Sequence, residues 1–166
     1  MSVDDFTIRV LESRDEPFLR EALYVALWDP PNEPRRPRSV LDHPKIAPLV
    51  ADWGRPGDVG FLAQRQPDGQ PVGAVWIRAY AAPPLGEEYL DDQTPHLGIA
   101  VLDGFQGRGI GSALMGRALE AARQQYPRVA LSVHPLNPAR RLYERCGFQL
   151  LGAGRGGYLV MQREYT

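Results

Sequence analysis

The sequence predicts a mixed α/β fold in which helices pack on a central, partly antiparallel sheet. The first observation is an apolar run of strand length at 96–102, which is followed by an Ala- and Leu-rich segment of helix length at 112–125 and a further strand-like run. This strand, helix, strand order favours parallel pairing through a crossover. The other observations are two pairs of strand-like runs that are separated by turn residues: 58–66 with 72–80, and 148–152 with 158–163.

The N-terminal part is predicted to contain a strand, a helix and a loop. Phe6, Ile8 and Val10 alternate with neighbours of another face, as expected of a half-buried strand. From 15 to 28 the apolar residues recur at helical spacing, and two prolines then end the helix. The proline-rich segment 29–39 is predicted to be a loop, and a short helix is expected between 46 and 54.

The middle of the chain is predicted to form a hairpin and then an acidic loop. Asp68-Gly69 lies between the runs 58–66 and 72–80, which is a hairpin signal. The acidic residues that follow have two interpretations, a solvated loop or a site that attracts or deprotonates a cationic amine. They are Glu87, Glu88, Asp91 and Asp92.

The last elements are a strand, a helix and a closing hairpin. The run 128–134 alternates and is predicted to be a strand. Asn137 is expected to cap the next helix with Pro138 at its first position, and Gly147 to end it in the left-handed conformation. Cys146 precedes that glycine on the same helical face as Leu142, so we interpret it as a packing residue and not as a nucleophile.

Composition limits the classes of function. A chain of 166 residues, with 43% hydrophobic and 23% charged residues, suits a single globular domain over 1–166. A net charge of −1 argues against a nucleic-acid-binding or membrane-binding protein, and neither a signal peptide nor a membrane span is visible. We therefore expect a soluble cytoplasmic protein, a monomer or a homodimer. One cysteine excludes an internal disulfide and a cysteine-rich metal site, and no metal is expected.

Three arginines in the loop 29–39 have two interpretations. Arg35, Arg36 and Arg38 suit a solvated loop, or one of them contacts a ligand. A nucleic-acid patch is disfavoured because no aromatic residues are interleaved and the domain is not basic.

The turn between the strand at 96–102 and the next helix predicts an anion site. Gly107, Gly109 and Gly111 lie in the stretch 106–111, where they permit positive φ and leave no Cβ to keep a ligand away. The unpaired N–H groups of the first helical turn then favour a phosphate. The dinucleotide pattern G-x-G-x-x-G fails because its third glycine falls at Ser112, and no Walker A lysine follows.

Two signatures identify a family. Gln106, Gly109 and Gly111 resemble the acyl-CoA loop of the GNAT superfamily of N-acetyltransferases, in which Arg or Gln is followed at fixed spacing by two small residues. The segment 137–148 resembles the later helix of that family, with its Asn, its Tyr six residues on and its closing Gly-Phe. The resemblance implies a twisted mixed sheet of about six or seven strands with about four helices, and a cofactor-binding core at 96–148.

The resemblance also implies the activity and the cofactor contacts. Members move an acetyl group from acetyl-CoA to a primary amine by direct transfer in a ternary complex. Main-chain groups of Ala100 and Val101 would pair with the pantetheine arm, Asn137 would contact it, and Arg140 would meet the nucleotide phosphates or solvent. The pyrophosphate would be held by the loop, with Arg108 adding charge or lying in solvent: Gln106, Gly107, Arg108, Gly109, Ile110, Gly111 and Ser112.

The catalytic groups are a proton donor and a proton acceptor. By resemblance, Tyr143 lies beside the sulfur of the cofactor and protonates the departing thiolate. The acceptor for the amine proton is His96, where many relatives place a glutamate at the start of the cofactor strand; a carboxylate of Glu87 or Glu88, and water without a dedicated base, are the alternatives.

The acceptor amine is not identified by the sequence. The variable segments of the family correspond to 28–53, 80–92 and 152–158, and within them Trp28, Glu87 and Glu88 are the candidate substrate-binding residues. We expect a small-molecule or peptide amine, and the acidic loop slightly favours a cationic one. The competing hypotheses are a non-catalytic acyl-CoA-binding sensor or scaffold, and a transferase for another acyl group.

Overall fold

A computed structural model describes residues 5–79, 91, 93–154 and 157–165. The chain builds a seven-stranded sheet with the order β1-β2-β3-β4-β5-β7-β6. Its strands are β1 Phe6–Val10, β2 Val59–Arg65, β3 Pro71–Arg78, β4 His96–Val101, β5 Arg128–Val133, β6 Gln149–Ala153 and β7 Leu159–Glu164. Its α-helices are α1 Glu16–Ala26, α2 Ile110–Ala122 and α3 Arg140–Arg145.

The sheet confirms the mixed α/β prediction. Neighbouring strands pair antiparallel, except that β4 and β5 are parallel. Helix α2 makes the crossover between these two strands, as the strand, helix, strand pattern predicts. Both predicted hairpins are also present, β2 with β3 and β6 with β7.

The core lies on both faces of the sheet, because alternate residues of each strand point to opposite sides. On β2, Phe61 belongs to the core under α2, whereas the adjacent Leu62 belongs to the core under α1. The fully buried side chains of Leu114 and Met115 anchor α2, and that of Leu19 anchors α1. The strand β1 is half-buried, as predicted, but burial falls along it: Phe6 and Ile8 pack on the core, whereas Val10, at the end of this edge strand, is 58% exposed.

The short helix predicted between 46 and 54 is also wrong. In the described residues the segment contains only the 3₁₀ helix Ala47–Leu49, after an earlier one at Arg38–Asp42. The carbonyl oxygens of Pro48 and Ala51 accept hydrogen bonds from the guanidinium group of Arg78, at 2.9 and 2.7 Å. These carbonyls are satisfied by a side chain from β3, so they do not need the backbone partners that an α-helix would supply.

The strands β4 and β5 separate soon after they meet. Their register contains a single pair, His96 with Ala130, and the N–H of Ala130 donates to the carbonyl of Pro95 at 3.0 Å. From Leu97 onward β4 pairs with β3 only. The edge of β4 that faces β5 is therefore left open in the middle of the sheet.

Candidate active site

A cavity of about 440 Å³ occupies the gap between β4 and β5. It is closed by α1 and by the segment that follows this helix, so its wall combines residues from distant parts of the chain. Four of the predicted site residues lie in its lining: Trp28, His96, Asn137 and Tyr143. The sheet thus gathers both predicted catalytic side chains in one space.

Tyr143 reaches the cavity from α3. Its side chain is 8% exposed and contacts the ring of Phe148 at 6.2 Å between centroids. Burial raises the pKa of the Tyr143 phenol to about 12, because the charged form loses its hydration. Within the described ranges the hydroxyl has no hydrogen-bond partner, so this neutral donor remains available to a ligand.

His96 begins β4, where it lies opposite Arg78 of β3 and Ala130 of β5. Burial lowers the pKa of its imidazole from 6.5 to about 4. The ring is therefore neutral at pH 7 and can accept a proton, but it is a weaker base than the reference value of the sequence analysis implies. The alternative bases Glu87 and Glu88 lie outside the described residues.

The glycine loop has the backbone that an anion site requires. Gly107 and Gly109 have φ of +76° and +82°, and α2 begins directly afterwards without a side-chain cap. A Cβ placed on Gly107 would meet nothing within 4 Å, so the loop is open on that side. The side chain of Gln106 donates to the carbonyl of Val101 at 3.0 Å and ties the loop to β4. The first-turn N–H groups of α2 are left for a ligand, and the loop therefore fits a phosphate.

The remaining predicted cofactor residues surround this loop. Ala100 and Val101 pair with β3 on one side and lie on the open edge of β4 on the other. Arg108 does not extend into solvent: its guanidinium group lies 5.6 Å from the Phe105 ring, and its buried Nη1 has no hydrogen-bond partner among the described residues. An orphaned buried cationic group beside the loop is an observation that favours an anionic ligand.

Asn137 and Arg140 differ in position. The Oδ1 of Asn137 accepts from the N–H of Ala139 at 2.9 Å, which leaves the amide N–H donors of Asn137 for a ligand. The predicted start of the helix is wrong: α3 begins at Arg140, so Ala139 and not Asn137 is its N-cap, and Pro138 lies in the turn before it. Arg140 forms an ion pair with Glu144 at 3.2 Å and does not line the cavity. Gly147 ends α3 with φ of +90°, as predicted.

Cys146 packs against the core under α2 and does not line the cavity. Burial raises the pKa of its thiol, so the thiolate is disfavoured. Both observations support its interpretation as a packing residue.

The predicted acidic loop is described only at Asp91. The carboxylate of Asp91 accepts from the N–H of Gln93 and the hydroxyl of Thr94, both at 2.8 Å. This residue therefore holds the entry to β4. The other members of the loop, 80–90 and 92, lie outside the described residues, as do 155 and 156 of the predicted segment 152–158.

An aromatic wall of the cavity was missed by the sequence analysis. The rings of Trp28 and His134 lie 5.2 Å apart, and those of His134 and Tyr158 lie 5.8 Å apart. Arg36 donates from Nη2 to the hydroxyl of Tyr158 and also lines the cavity. Its neighbours Arg35 and Arg38 are exposed and do not line the cavity, and both lie over the ring of Tyr24. In the sequence, His134 lies three residues before the predicted ligand-binding residue Asn137, and this proximity could have indicated that His134 also lines the site.

A buried ion pair supports the opposite wall. The side chains of Arg78 and Asp58 are 2% and 5% exposed, and their closest distance is 2.8 Å. Because Arg78 also binds main-chain carbonyls at 48 and 51, it fixes the segment that supplies Ile46 and Leu49 to the cavity. No pattern in the sequence distinguishes this arginine from an exposed one at a strand end.

The same described ranges contain no group of three or more His, Cys, Asp or Glu side chains that could hold a metal ion. None of their helices has the length and apolar character that crossing a membrane requires.

The chain is similar to several solved structures. A GCN5-related N-acetyltransferase from Kribbella flavida is 20% identical, and the match covers 99% of this chain and 100% of that one with a TM-score of 0.68. A ribosomal-protein-alanine N-acetyltransferase from Brucella melitensis is 22% identical, with coverages of 96% and 99% and a TM-score of 0.67. The PaiA N-acetyltransferase from Thermoplasma acidophilum, in complex with coenzyme A, is 15% identical, with coverages of 96% and 99% and a TM-score of 0.67. These similarities show the fold.

The sequence itself carries the family assignment. No curated protein sequence matches the chain significantly. The model of the acetyltransferase (GNAT) family matches residues 20–148, which is more than half of the chain and includes the glycine loop and α3. The chain therefore belongs to the GNAT family of acetyltransferases.

Proposed function

We propose that this protein transfers an acetyl group from acetyl-CoA directly to a primary amine while both substrates are bound. The observation that carries the proposal is the unpartnered, neutral Tyr143 phenol in a cavity at the β4–β5 gap. Family membership and the coenzyme A complex of the similar PaiA structure support an acyl-CoA cofactor. Acetyl-CoA would supply an activated thioester carbonyl to this site.

Different residues of the site would bind different parts of the cofactor. The N–H groups at the start of α2 and the orphaned Nη1 of Arg108 would hold the pyrophosphate. The open edge of β4 near Ala100 and Val101 would pair with the amides of the pantetheine arm. This arrangement directs the thioester along β4 toward the cavity that contains His96 and Tyr143.

The two catalytic side chains would accept the proton that the amine loses and supply the proton that the thiolate gains. As the amine nitrogen bonds to the carbonyl carbon, His96 accepts the proton that this nitrogen loses. As the carbon–sulfur bond breaks, Tyr143 donates its hydroxyl proton to the sulfur and recovers a proton from solvent. A phenol with a pKa near 12 is a weak acid, but the same burial that raises its pKa also raises the proton affinity of a thiolate beside it.

The test measures initial rates of thiol release with a panel of primary amines at several concentrations of both substrates. Direct transfer predicts intersecting double-reciprocal lines and full activity in Cys146→Ala. Parallel lines, together with loss of activity in a Cys146→Ala variant that keeps the wild-type stability, would show a covalent acyl-enzyme and contradict direct transfer. Binding of acetyl-CoA without turnover of any amine would favour the non-catalytic sensor. Faster turnover with a longer acyl-CoA would show that the protein transfers another acyl group in preference to acetyl.

A further inference from the structure

Most of the cavity lining is apolar. Its lining is contributed by the inner face of α1, by the segment after it and by β4 and β5. These apolar residues are Leu23, Ala26, Leu27, Val40, Ile46, Leu49, Trp76, Leu97, Ile99 and Val133. A site of this composition suits a ligand with a hydrophobic group and disfavours an extended polycation.

Arg36 brings a fixed positive charge to this apolar space. Its Nε donates to Asp29 at 2.8 Å and its Nη2 donates to the hydroxyl of Tyr158. The Nη1 group has no hydrogen-bond partner in the part of the chain that the structure describes. Since the Tyr158 oxygen accepts from Arg36, its own proton is available to a ligand.

His134 adds a second donor beside Tyr158. Its Nδ1 accepts a hydrogen bond from the N–H of Leu136 at 3.1 Å. A neutral imidazole that accepts at Nδ1 carries its proton on Nε2. His134 is therefore arranged as a donor to a ligand and not as a base that competes with His96.

The charge of the described lining is positive. Asp29 is shared by Arg35 and Arg36, at 2.8 Å from each, so one of the two guanidinium charges is left uncompensated. Lys45 also lines the cavity, and no carboxylate does so among the described residues. An ammonium-rich acceptor would meet this wall unfavourably, whereas an anionic group would be attracted to it.

We propose that the acceptor amine is an amino acid with a hydrophobic side chain, whose carboxylate binds Arg36, Tyr158 and His134 while its apolar body fills the cavity. This inference rests on the proposed function and names the substrate class of the same site. It differs from the slight preference for a cationic amine that the acidic loop suggested, and the described cavity lining is the ground for the difference. The remaining Nη1 donor of Arg36, the Tyr158 hydroxyl and the His134 N–H together supply donors for the two acceptor oxygens of a carboxylate.

The test compares substrates in which the carboxylate is replaced by an amide. Because this change also lowers the pKa of the amine, rates are expressed per concentration of neutral amine. Acetyl transfer is measured with leucine and leucinamide, with phenylalanine and phenylalaninamide, and with spermidine. We expect kcat/KM for each amino acid to exceed that for its amide by about 10- to 100-fold, as for a hydrogen-bonded charge. The difference should appear mainly in KM, because the carboxylate takes no part in the bonds that form and break.

A pair of variants assigns the effect to the wall. Arg36→Gln should lower kcat/KM for the amino acids by about 10- to 100-fold and leave the amides nearly unchanged. Arg35→Gln is the matched control for the loss of one charge, because Arg35 shares Asp29 but does not line the cavity. It should weaken the preference for the carboxylate much less than Arg36→Gln does. The wild-type comparison of acid with amide remains decisive even if Arg36→Gln does not fold.

The outcomes separate the two proposals. Faster transfer to the amides or to spermidine overturns the amino-acid inference while it upholds acetyl transfer. Absence of transfer to every member, with acetyl-CoA bound, also overturns the inference. Absence of acetyl-CoA binding overturns the proposed function, and the inference falls with it.

Discussion

The two halves of the site differ in how they are built. In the cofactor half, the glycine loop and the start of α2 are contiguous in the chain, and backbone conformation does most of the work. In the acceptor half, Arg36 contacts Tyr158 across 122 residues, and α1, β5 and the segment before β7 meet around one cavity. A local backbone site leaves a pattern in the sequence, whereas a wall assembled from distant side chains leaves none.

The largest effect is expected at Tyr143, where the cofactor half and the acceptor half of the site meet. Tyr143→Phe removes the hydroxyl and keeps the ring contact with Phe148. We expect kcat to fall by about 10²- to 10⁴-fold, because a positioned general acid contributes on that order. Steady-state thiol release measures the change, and calorimetric titration should show unchanged acetyl-CoA affinity. An unchanged kcat would remove Tyr143 from the chemistry.

The second effect concerns the pH dependence of stability at the entry to β4. His96 has a pKa lowered to about 4, so the unfolded chain binds its proton first as the pH falls through 6.5. The native state should therefore lose up to about 3 kcal/mol of stability between pH 6.5 and pH 4, and regain nothing below it. Urea unfolding of wild type and His96→Gln across this pH range isolates the contribution of His96. The difference in the free energy of unfolding between the two proteins should become smaller at low pH.

A constant gap between these two proteins would contradict the burial account of His96. The rate profile gives a separate check on its chemistry. If His96 accepts the proton, the acidic limb of kcat/KM should fall near pH 4 in wild type and be lost or shifted in His96→Gln. An identical limb in both proteins would leave the role to a carboxylate or to water.

The third effect tests whether the acceptor wall depends on close packing. A Cβ on Gly98 would lie 2.4–2.6 Å from the indole of Trp76, which lines the cavity. Gly98→Ala must therefore displace the indole, and we expect a loss of about 1–3 kcal/mol in the free energy of unfolding. The KM for the amine should rise more than the KM for acetyl-CoA. Equal changes in the two KM values would show that the acceptor half and the cofactor half of the site do not respond independently to a change in β4.

The smallest effect tests the backbone of the cofactor loop. Gly107 has φ of +76°, and an alanine there costs about 1–2 kcal/mol in that conformation. The empty loop can relax, but binding of acetyl-CoA requires the strained conformation. Gly107→Ala should therefore lower the affinity for acetyl-CoA by about 5- to 30-fold, as measured by calorimetry. Gly116→Ala is the control, because Gly116 lies inside α2 with open space around it and should gain about 0.5–1 kcal/mol of stability without loss of affinity.

These differences also explain what the sequence could predict. The sheet elements and the positive φ of the loop glycines follow from local propensity and turn chemistry, and the structure confirms them. The helix start predicted at Asn137 is displaced, because a turn at 138–139 precedes α3. The helix predicted between 46 and 54 failed because a guanidinium group from β3 satisfies its carbonyls. His134 and Arg36 were missed as parts of one wall because their shared neighbour Tyr158 is distant in the chain.

The cofactor site is tested most directly by calorimetric titration of the purified protein with acetyl-CoA, with coenzyme A and ATP as comparisons. We predict micromolar binding of acetyl-CoA, no comparable binding of ATP, and about 2.7 kcal/mol of stabilisation when the free ligand reaches 100 times its Kd. The absence of both heat and thermal stabilisation at saturating acetyl-CoA would contradict the assignment of the glycine loop, and the roles given to Tyr143 and His96 would fall with it.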